Sequence, residues 1–206
     1  MNEIKRALLS VSDKTGLVEL ASYLSKKNIE IISTGGTAAT LVGAGCRVVE
    51  ASEYAGSPEM LDGRVKTLHP KIHAGILHRR SVPEHVSQME ALGWSGIDLV
   101  AVNLYPFEKV SAKKDAAFEE VIENIDIGGP CLLRASAKNH AHVAVLCDPA
   151  DYPLFVSEME KTGGQLTNEF RLRLAQKAFA RTSAYDQAIS RYLQDVAGQG
   201  SGLGND

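Results

Sequence analysis

The stretch GRVKTLHPKIHAGIL, residues 63–77, sets two cations, Arg64 and Lys66, beside Gly63 and Thr67, with His69 and His73 following at a four-residue spacing. Three chemistries suit such residues: a metal pair on one helix face, a solvated basic loop, or a pocket for an anionic substrate. The metal reading is the weakest, because Pro70 interrupts the pair. The H-E-x-x-H pattern is also missing, and Asp62 is the nearest acid upstream. The choice between loop and anion pocket rests on the rest of the chain.

Two other segments share one design. SVSDKTG (10–16) and STGGT (33–37) each follow a short apolar run and lead into a helical pattern. Hydroxyls, the Lys14 cation and the unpaired amides of a helix start suit a phosphate. Each has an ordinary alternative: Ser12 or Asp13 as a helix cap, Gly35–Gly36 as a tight turn. Neither matches G-x-G-x-x-G or the P-loop, so the residues do not support dinucleotide or ATP binding. Two successive strand ends of this kind favour one shared anion site. Further along, NLYPF (103–107), DIGG (126–129) and AKNH (137–140) supply Asn103, Tyr105, Asp126, Lys138 and Asn139. Tyr105 also suits a core, Asp126 a helix cap, and Lys138 the negative end of a helix. Taken together, acid, phenol and two lysines form an acid–base constellation.

The elements that must position these groups alternate. Strand-like runs at 6–11, 30–34, 46–52, 97–107 and 143–147 are separated by helical patterns at 15–28, 37–45, 83–93, 116–124 and 131–140. Residues 53–75 read as one long loop of the kind that usually carries function. A helix follows the last strand, and a longer one runs from Thr167 to about Asp195. The stripe of that last helix is Phe170, Leu174, Phe179, Tyr185, Ile189, Tyr192 and Leu193. The expectation is an α/β fold, a mostly parallel open sheet flanked by helices, as one domain over residues 1–195 with a Gly-rich tail at 196–206. Ligands of such sheets sit beyond the carboxyl ends of the strands, where these motifs fall.

Bulk composition excludes several classes. With 22 Lys+Arg against 25 Asp+Glu, the net charge is −3, which argues against general nucleic-acid binding. Three scattered cysteines without a C-x-x-C pair suit reduced structural thiols. The absence of an apolar run of about 20 residues argues for a soluble, cytoplasmic protein that does not contact membranes.

As a set, SVSDKTGL, STGGT, GRVKTLHPKIHAGIL, NLYPF, DIGGP and AKNH resemble the IMP cyclohydrolase domain of the bifunctional AICAR transformylase/IMP cyclohydrolase family. The resemblance runs in order from about Leu8 to Leu193. It implies a methylglyoxal-synthase-like fold with a long C-terminal helix. It also implies closure of formyl-AICAR to IMP with loss of water, by an enzyme of the cyclic amidine hydrolase class acting in the dehydrating direction. No cofactor and no metal are implied. Matched by position, Lys66, Tyr105, Asp126 and Lys138 correspond to the groups assigned to chemistry. Ser12, Lys14, Thr34, Gly35, Gly36 and Thr37 match the phosphate pocket, and Arg64, Val65, Lys66 and Thr67 the substrate loop. Asn103, Asp126 and Ile127 match positions lining the base, and Asp13, Thr15, Val102 and Gly128 are further substrate-binding positions that the resemblance implies. The implied partners are the nucleotide itself and either a second copy or a transformylase domain or subunit, with no nucleic acid and no membrane. The transformylase part does not follow in this sequence. Whether the chain acts alone or belongs to a longer protein stays open.

Two rivals share the expected fold. A methylglyoxal synthase would use the two phosphate-like turns but leave GRVKTLHP, NLYPF and AKNH without a task. A non-catalytic nucleotide-sensing module would leave the acid–base residues without one.

Overall fold

Ala7, Leu8 and Leu9 have no exposed surface, and neither do Leu99, Val100 and Ala101. Strands apolar on both faces belong in the interior of a parallel sheet covered by helices. The computed structural model describes residues 3–105, 107–113 and 116–198. Among these, the strands are β1 (Arg6–Val11), β2 (Glu30–Ser33), β3 (Val49–Glu50), β4 (Leu99–Asn103) and β5 (Ala144–Leu146). They form one sheet in the order β3-β2-β1-β4-β5, with every pairing parallel. The chain winds outward from β1 to β3 and then crosses back to β4. The crevice between the carboxyl ends of β1 and β4 is therefore the switch point of the fold.

The early elements follow the sequence pattern. Helix α1 (Leu17–Lys26) buries Leu17, Leu20, Ala21 and Leu24 on one face. Helix α2 (Gly35–Gly43) starts two residues earlier than its apolar pattern suggests, so both glycines of STGGT lie in its first turn. Only two residues of the expected third strand pair, and Ala51–Ala55 turns into α3.

The expected loop at 53–75 is shorter in the structure. A 3-10 turn occupies Leu61–Gly63, and α4 (Pro70–Leu77) begins with proline at its first position, where no backbone donor is needed. Helix α5 (Pro83–Ala91) leads to β4, which is followed by the unanticipated α6 (Phe107–Ser111) and by α7 (Phe118–Glu123). The turn DIGGP is a helix start: α8 spans Gly128–Lys138. Pro106, expected at the end of the fourth strand, lies outside the described residues, as do most of residues 196–206.

Helix α9 (Asp151–Lys161) precedes α10 (Asn168–Gly198), whose 31 residues at 1.5 Å rise extend roughly 46 Å. Its first half packs on α8 and β5, burying Phe170, Leu174 and Tyr185. Phe179 and Leu193, expected in the same stripe, are about 40% exposed instead. At the amino edge of the sheet, Asp98 accepts the Lys5 and Arg6 amides. The Arg80 guanidinium bonds Asp98, Ile97 O and His142 O there. That buried, charge-assisted clamp closes one edge and leaves the carboxyl edge to the loops. Among the described residues, no helix is long and apolar enough to cross a membrane.

Candidate functional site

Asn103, the last residue of β4, sits opposite Val11, the last residue of β1. Its Oδ1 accepts the amides of Ser12 and Asp13, both at 2.7 Å, and its Nδ2 donates to Asp13 O at 2.8 Å. The side chain expected beside a base is thus spent on bolting the β1–α1 turn across the crevice. Asp13 does not cap α1, whose N-cap is Gly16. Its Oδ1 instead takes the Thr15 hydroxyl at 2.7 Å and the Thr15 amide at 2.9 Å. Those bonds, the hydroxyl first, hold the Asp13 carboxyl below its usual range.

The next turn carries the cations. Gly35 opens α2 at φ +45°, a conformation that L side chains seldom adopt, and it is exposed together with Gly36. A Cβ built on Gly35 would stand 3.9 Å from Lys66 Nζ, and one on Gly36 would stand 4.0 Å from Lys14 Nζ. Two ammonium groups from distant segments therefore flank the first amides of α2, which have no partner within the helix. The neighbouring threonines face inward. Thr34 Oγ1 meets Ser10 Oγ at 2.8 Å, and Thr37 Oγ1 bonds both the amide and the carbonyl of Val11 at 3.0 Å. Both hydroxyls tie α2 to β1 rather than presenting themselves to the crevice.

From Lys66 the chain reaches the start of α8. Thr67 is only 5% exposed, and its Oγ1 lies 2.5 Å from where a Cβ on Gly128 would be, so only glycine fits there. Asp126 Oδ1 accepts the Gly129 amide at 2.8 Å, and a Cβ on Gly129 would collide with Asp126 Oδ2. The Asp126 amide in turn donates to Tyr185 Oη at 2.8 Å. Tyr185, wholly buried and edge-on to Phe107, is not among the expected site residues because its position in the α10 stripe reads as plain core. The signal was its hydroxyl, since a buried tyrosine usually bonds through it. Tyr105 and Ile127 are 54% and 56% exposed.

Other expected residues fall elsewhere. Lys138 is exposed at the far end of α8, roughly 15 Å of helix from Gly128. The adjacent Asn139 is anchored there to Ile76 O and His78 O. Within one chain Lys138 thus stands apart from the Asp126 end of α8. Arg64 is engaged by Glu123 through two guanidinium nitrogens on the surface. That contact holds Glu123 below the usual carboxylate range. Val102 is 2% exposed inside β4 and offers a ligand no side chain.

His69 caps α4 by accepting the Lys71 amide at Nδ1, 3.2 Å, while the His73 ring is half-buried on α4, where burial lowers its pKa. His69 thus serves the architecture of the helix that follows the Lys66 segment. The three cysteines are free thiols, and burial pushes that of Cys147 up to about 11. Such a thiol stays protonated and inert at neutral pH.

Two cavities adjoin the turns. One of about 200 Å3 lies behind Lys66, lined by Thr34, Gly35, Val65 and His69. The other, about 800 Å3, opens at the switch point beside Ser12, Asp13 and Asn103, with Lys177 and Arg181 of α10 on its far wall. The larger one falls in the range of about 300–1,000 Å3 usual for small-molecule pockets, but Lys14, Gly35, Lys66 and Asp126 do not line it.

A family model described as an MGS-like domain matches residues 16–131, which hold the glycine turn, the Lys66 segment and the start of α8. The chain belongs to this family. A second model, AICARFT/IMPCHase bienzyme, matches residues 136–203. This MGS-like chain is 56% identical over 197 residues to the bifunctional purine biosynthesis protein PurH of Neisseria meningitidis serogroup A. It is 54% identical over 196 residues to PurH of Brucella canis. It spans 37% and 36% of the lengths of those curated relatives. The crystal structure of ForH superposes with a TM-score of 0.81 at 37% identity, covering 92% of this chain and 99% of that one. The methylglyoxal-synthase-like fold expected from the motifs is the fold found.

Proposed function

We propose that the protein is an IMP cyclohydrolase, closing formyl-AICAR to IMP with loss of water. It would belong to the cyclic amidine hydrolases and run in the dehydrating direction. One observation carries the reading: the Lys66–Thr67 segment touches both the amino end of α2 and the start of α8. Lys66 thereby stands between a phosphate-type turn and the Asp126 carboxylate. The PurH likeness over 96% of the chain supports the same substrate.

The phosphate binds at the amides of Gly35 and Gly36, with Lys14 neutralising its charge. The base lies toward Asp126, Ile127 and Tyr105. In the ring closure the carboxamide nitrogen attacks the formyl carbon, and negative charge gathers on the formyl oxygen. Lys66 stabilises that oxygen, the electrostatic effect that is usually the largest in such reactions. The oxygen takes one proton from each nitrogen and leaves as water, and Asp126 and Tyr105 are the groups placed to relay them. Holding the two reacting groups face to face supplies much of the remaining acceleration. Lys138 has no task in this single-chain geometry. The transformylase reaction of the bifunctional relatives falls to a domain or subunit other than residues 1–195.

Purified protein mixed with formyl-AICAR should develop the absorbance of IMP, and dihydroxyacetone phosphate should be left unchanged. Tight binding of IMP without turnover would replace this reading with a nucleotide sensor. Turnover of dihydroxyacetone phosphate would replace it with a lyase.

A further inference from the structure

The cyclohydrolase reading uses the turn at α2 and the start of α8, and it leaves the cavity at the switch point without a task. That cavity, about 800 Å3, lies between the carboxyl ends of the strands and the middle of α10. Its link to the Lys66 site is the β1–α1 turn. Ser12 and Asp13 line the cavity, whereas the next residue, Lys14, reaches toward Gly36 instead. One turn thus separates two crevices.

The lining divides by chemistry. Leu104, Cys147, Pro149 and Ala180 offer an apolar surface, and three cations reach it, Lys109 from α6 and Lys177 and Arg181 from α10. Lys177 is engaged inside the chain, by Asp148 Oδ2 at 3.0 Å and by Asp151 Oδ1 at 2.7 Å. Lys109 and Arg181 enter no hydrogen bond or ion pair among the described residues. Two carboxylates share the wall with them. Both oxygens of Asp148 are taken, one by Lys177 and the other by the Ala150 amide at 2.9 Å. Asp13 bonds Thr15 through Oδ1 alone, which leaves its second oxygen available.

Tyr152 adds a buried hydroxyl. Its amide bonds Pro149 O at 3.1 Å, and its Cδ2 would stand 3.4 Å from a Cβ on Gly16. The ring therefore lies between the β1–α1 turn and the corner after β5, two segments that form walls of the cavity. Tyr152 is only 3% exposed, yet its hydroxyl has no hydrogen-bond partner among the described residues. A buried hydroxyl of that kind needs a partner from outside the chain, a water or a ligand.

We propose that the switch-point cavity is a second binding site, for a phosphorylated sugar, with the phosphate between Lys109 and Arg181 and a sugar hydroxyl on Asp13. A guanidinium fork and an ammonium suit a phosphate, a free carboxylate oxygen suits a hydroxyl donor, and the apolar wall covers the carbon skeleton. The inference goes beyond the cyclohydrolase reading, in which the substrate phosphate stays at α2.

Ribose 5-phosphate is the probe, titrated by calorimetry into the whole chain in saturating IMP, so that the α2 turn is filled. One equivalent should still bind. Arg181→Gln and Lys109→Gln should each weaken that binding about tenfold, as expected for a charge-assisted bond to phosphate, and leave IMP affinity within about twofold. Lys14→Ala should do the reverse. Neither Arg181 nor Lys109 is bonded within the chain, so both variants should fold with the parent's thermal midpoint. Displacement of ribose 5-phosphate by IMP would make the cavity an arm of the substrate site and overturn the proposal. Binding that survives both glutamine substitutions would overturn it too. Inorganic phosphate should bind more weakly than the sugar phosphate, and equal affinity would remove the sugar from the proposal. If the parent protein does not bind IMP, the cyclohydrolase reading falls. Titration without IMP, compared between Arg181→Gln and Lys14→Ala, then decides the cavity by itself.

Discussion

Tyr185 accepts the backbone N–H of Asp126 at 2.8 Å across 59 residues of sequence, joining the long C-terminal helix to the start of α8. The bond fixes the direction in which the Asp126 carboxylate faces, while that carboxylate caps its own helix at Gly129. Tyr185→Phe keeps the ring against Phe107 but leaves the Asp126 amide unpaired. A loss of about 1–3 kcal/mol in urea unfolding is expected, together with slower turnover. An unchanged midpoint would show that the hydroxyl does not anchor the site.

Lys66 and Lys14 approach the same turn with different tasks, and kinetics should separate them. Lys66→Ala should lose about 10²–10³ in kcat while still binding IMP, as expected for removal of an oxyanion donor. Lys14→Ala should weaken IMP binding more than it slows saturated turnover. Near-normal cyclisation by Lys66→Ala would remove it from the mechanism, and unaltered affinity in Lys14→Ala would displace the phosphate from α2.

At Gly35 a side chain meets one obstacle, the left-handed φ of +45°; the ammonium of Lys66, at 3.9 Å, would be in ordinary contact. Gly35→Ala should cost ~1 kcal/mol of stability through the backbone alone. Calorimetric titration with IMP should reveal a larger effect, a loss of about tenfold in affinity, because the methyl group would stand at the first amides of α2 where the phosphate binds. Wild-type affinity would place the anion elsewhere.

Arg64, expected in the substrate loop, is engaged by Glu123 instead. Releasing the arginine by Glu123→Gln should strengthen IMP binding a few-fold without moving the thermal midpoint, because both partners lie on the surface. Because the Glu123 carboxyl is held below its usual range, the pair persists above that range and is lost on acidification. Weaker binding in the variant would mean that Glu123 orients Arg64 toward the ligand.

Burial holds the rings of His73, His78 and His142 below the ordinary histidine value of 6.5. Between the depressed values and 6.5 the unfolded chain binds protons that the native protein does not, so stability rises with pH across that window. Above it all three rings are neutral in both states and the dependence vanishes. Thermal melts should therefore be flat from about pH 8 to 7 and decline toward about pH 5.5. A flat profile throughout would mean that these rings protonate without cost.

Much of the architecture is legible locally. The doubly apolar runs of β1 and β4 and the one-sided stripe of α1 are short-range patterns, and each forms where its period places it. Boundaries set by tertiary contact are not. STGGT and DIGGP read as turns because glycine disfavours helices. Both open helices, Gly35 because its φ is +45° and Gly128 and Gly129 because Thr67 and Asp126 leave no room for a Cβ.

The sequence alone determined which groups were available: two lysines, an acid, a phenol and glycine turns at the ends of buried strands. These are matters of residue type and short spacing. Only the tertiary structure decided which of them meet. It set Lys14 and Lys66 over one turn and left Lys138 at the far end of α8, because a rigid helix turns ten residues of separation into a fixed length. It also spent Asn103, Thr37 and His69 on the backbone, because the amides or carbonyls beside them needed partners.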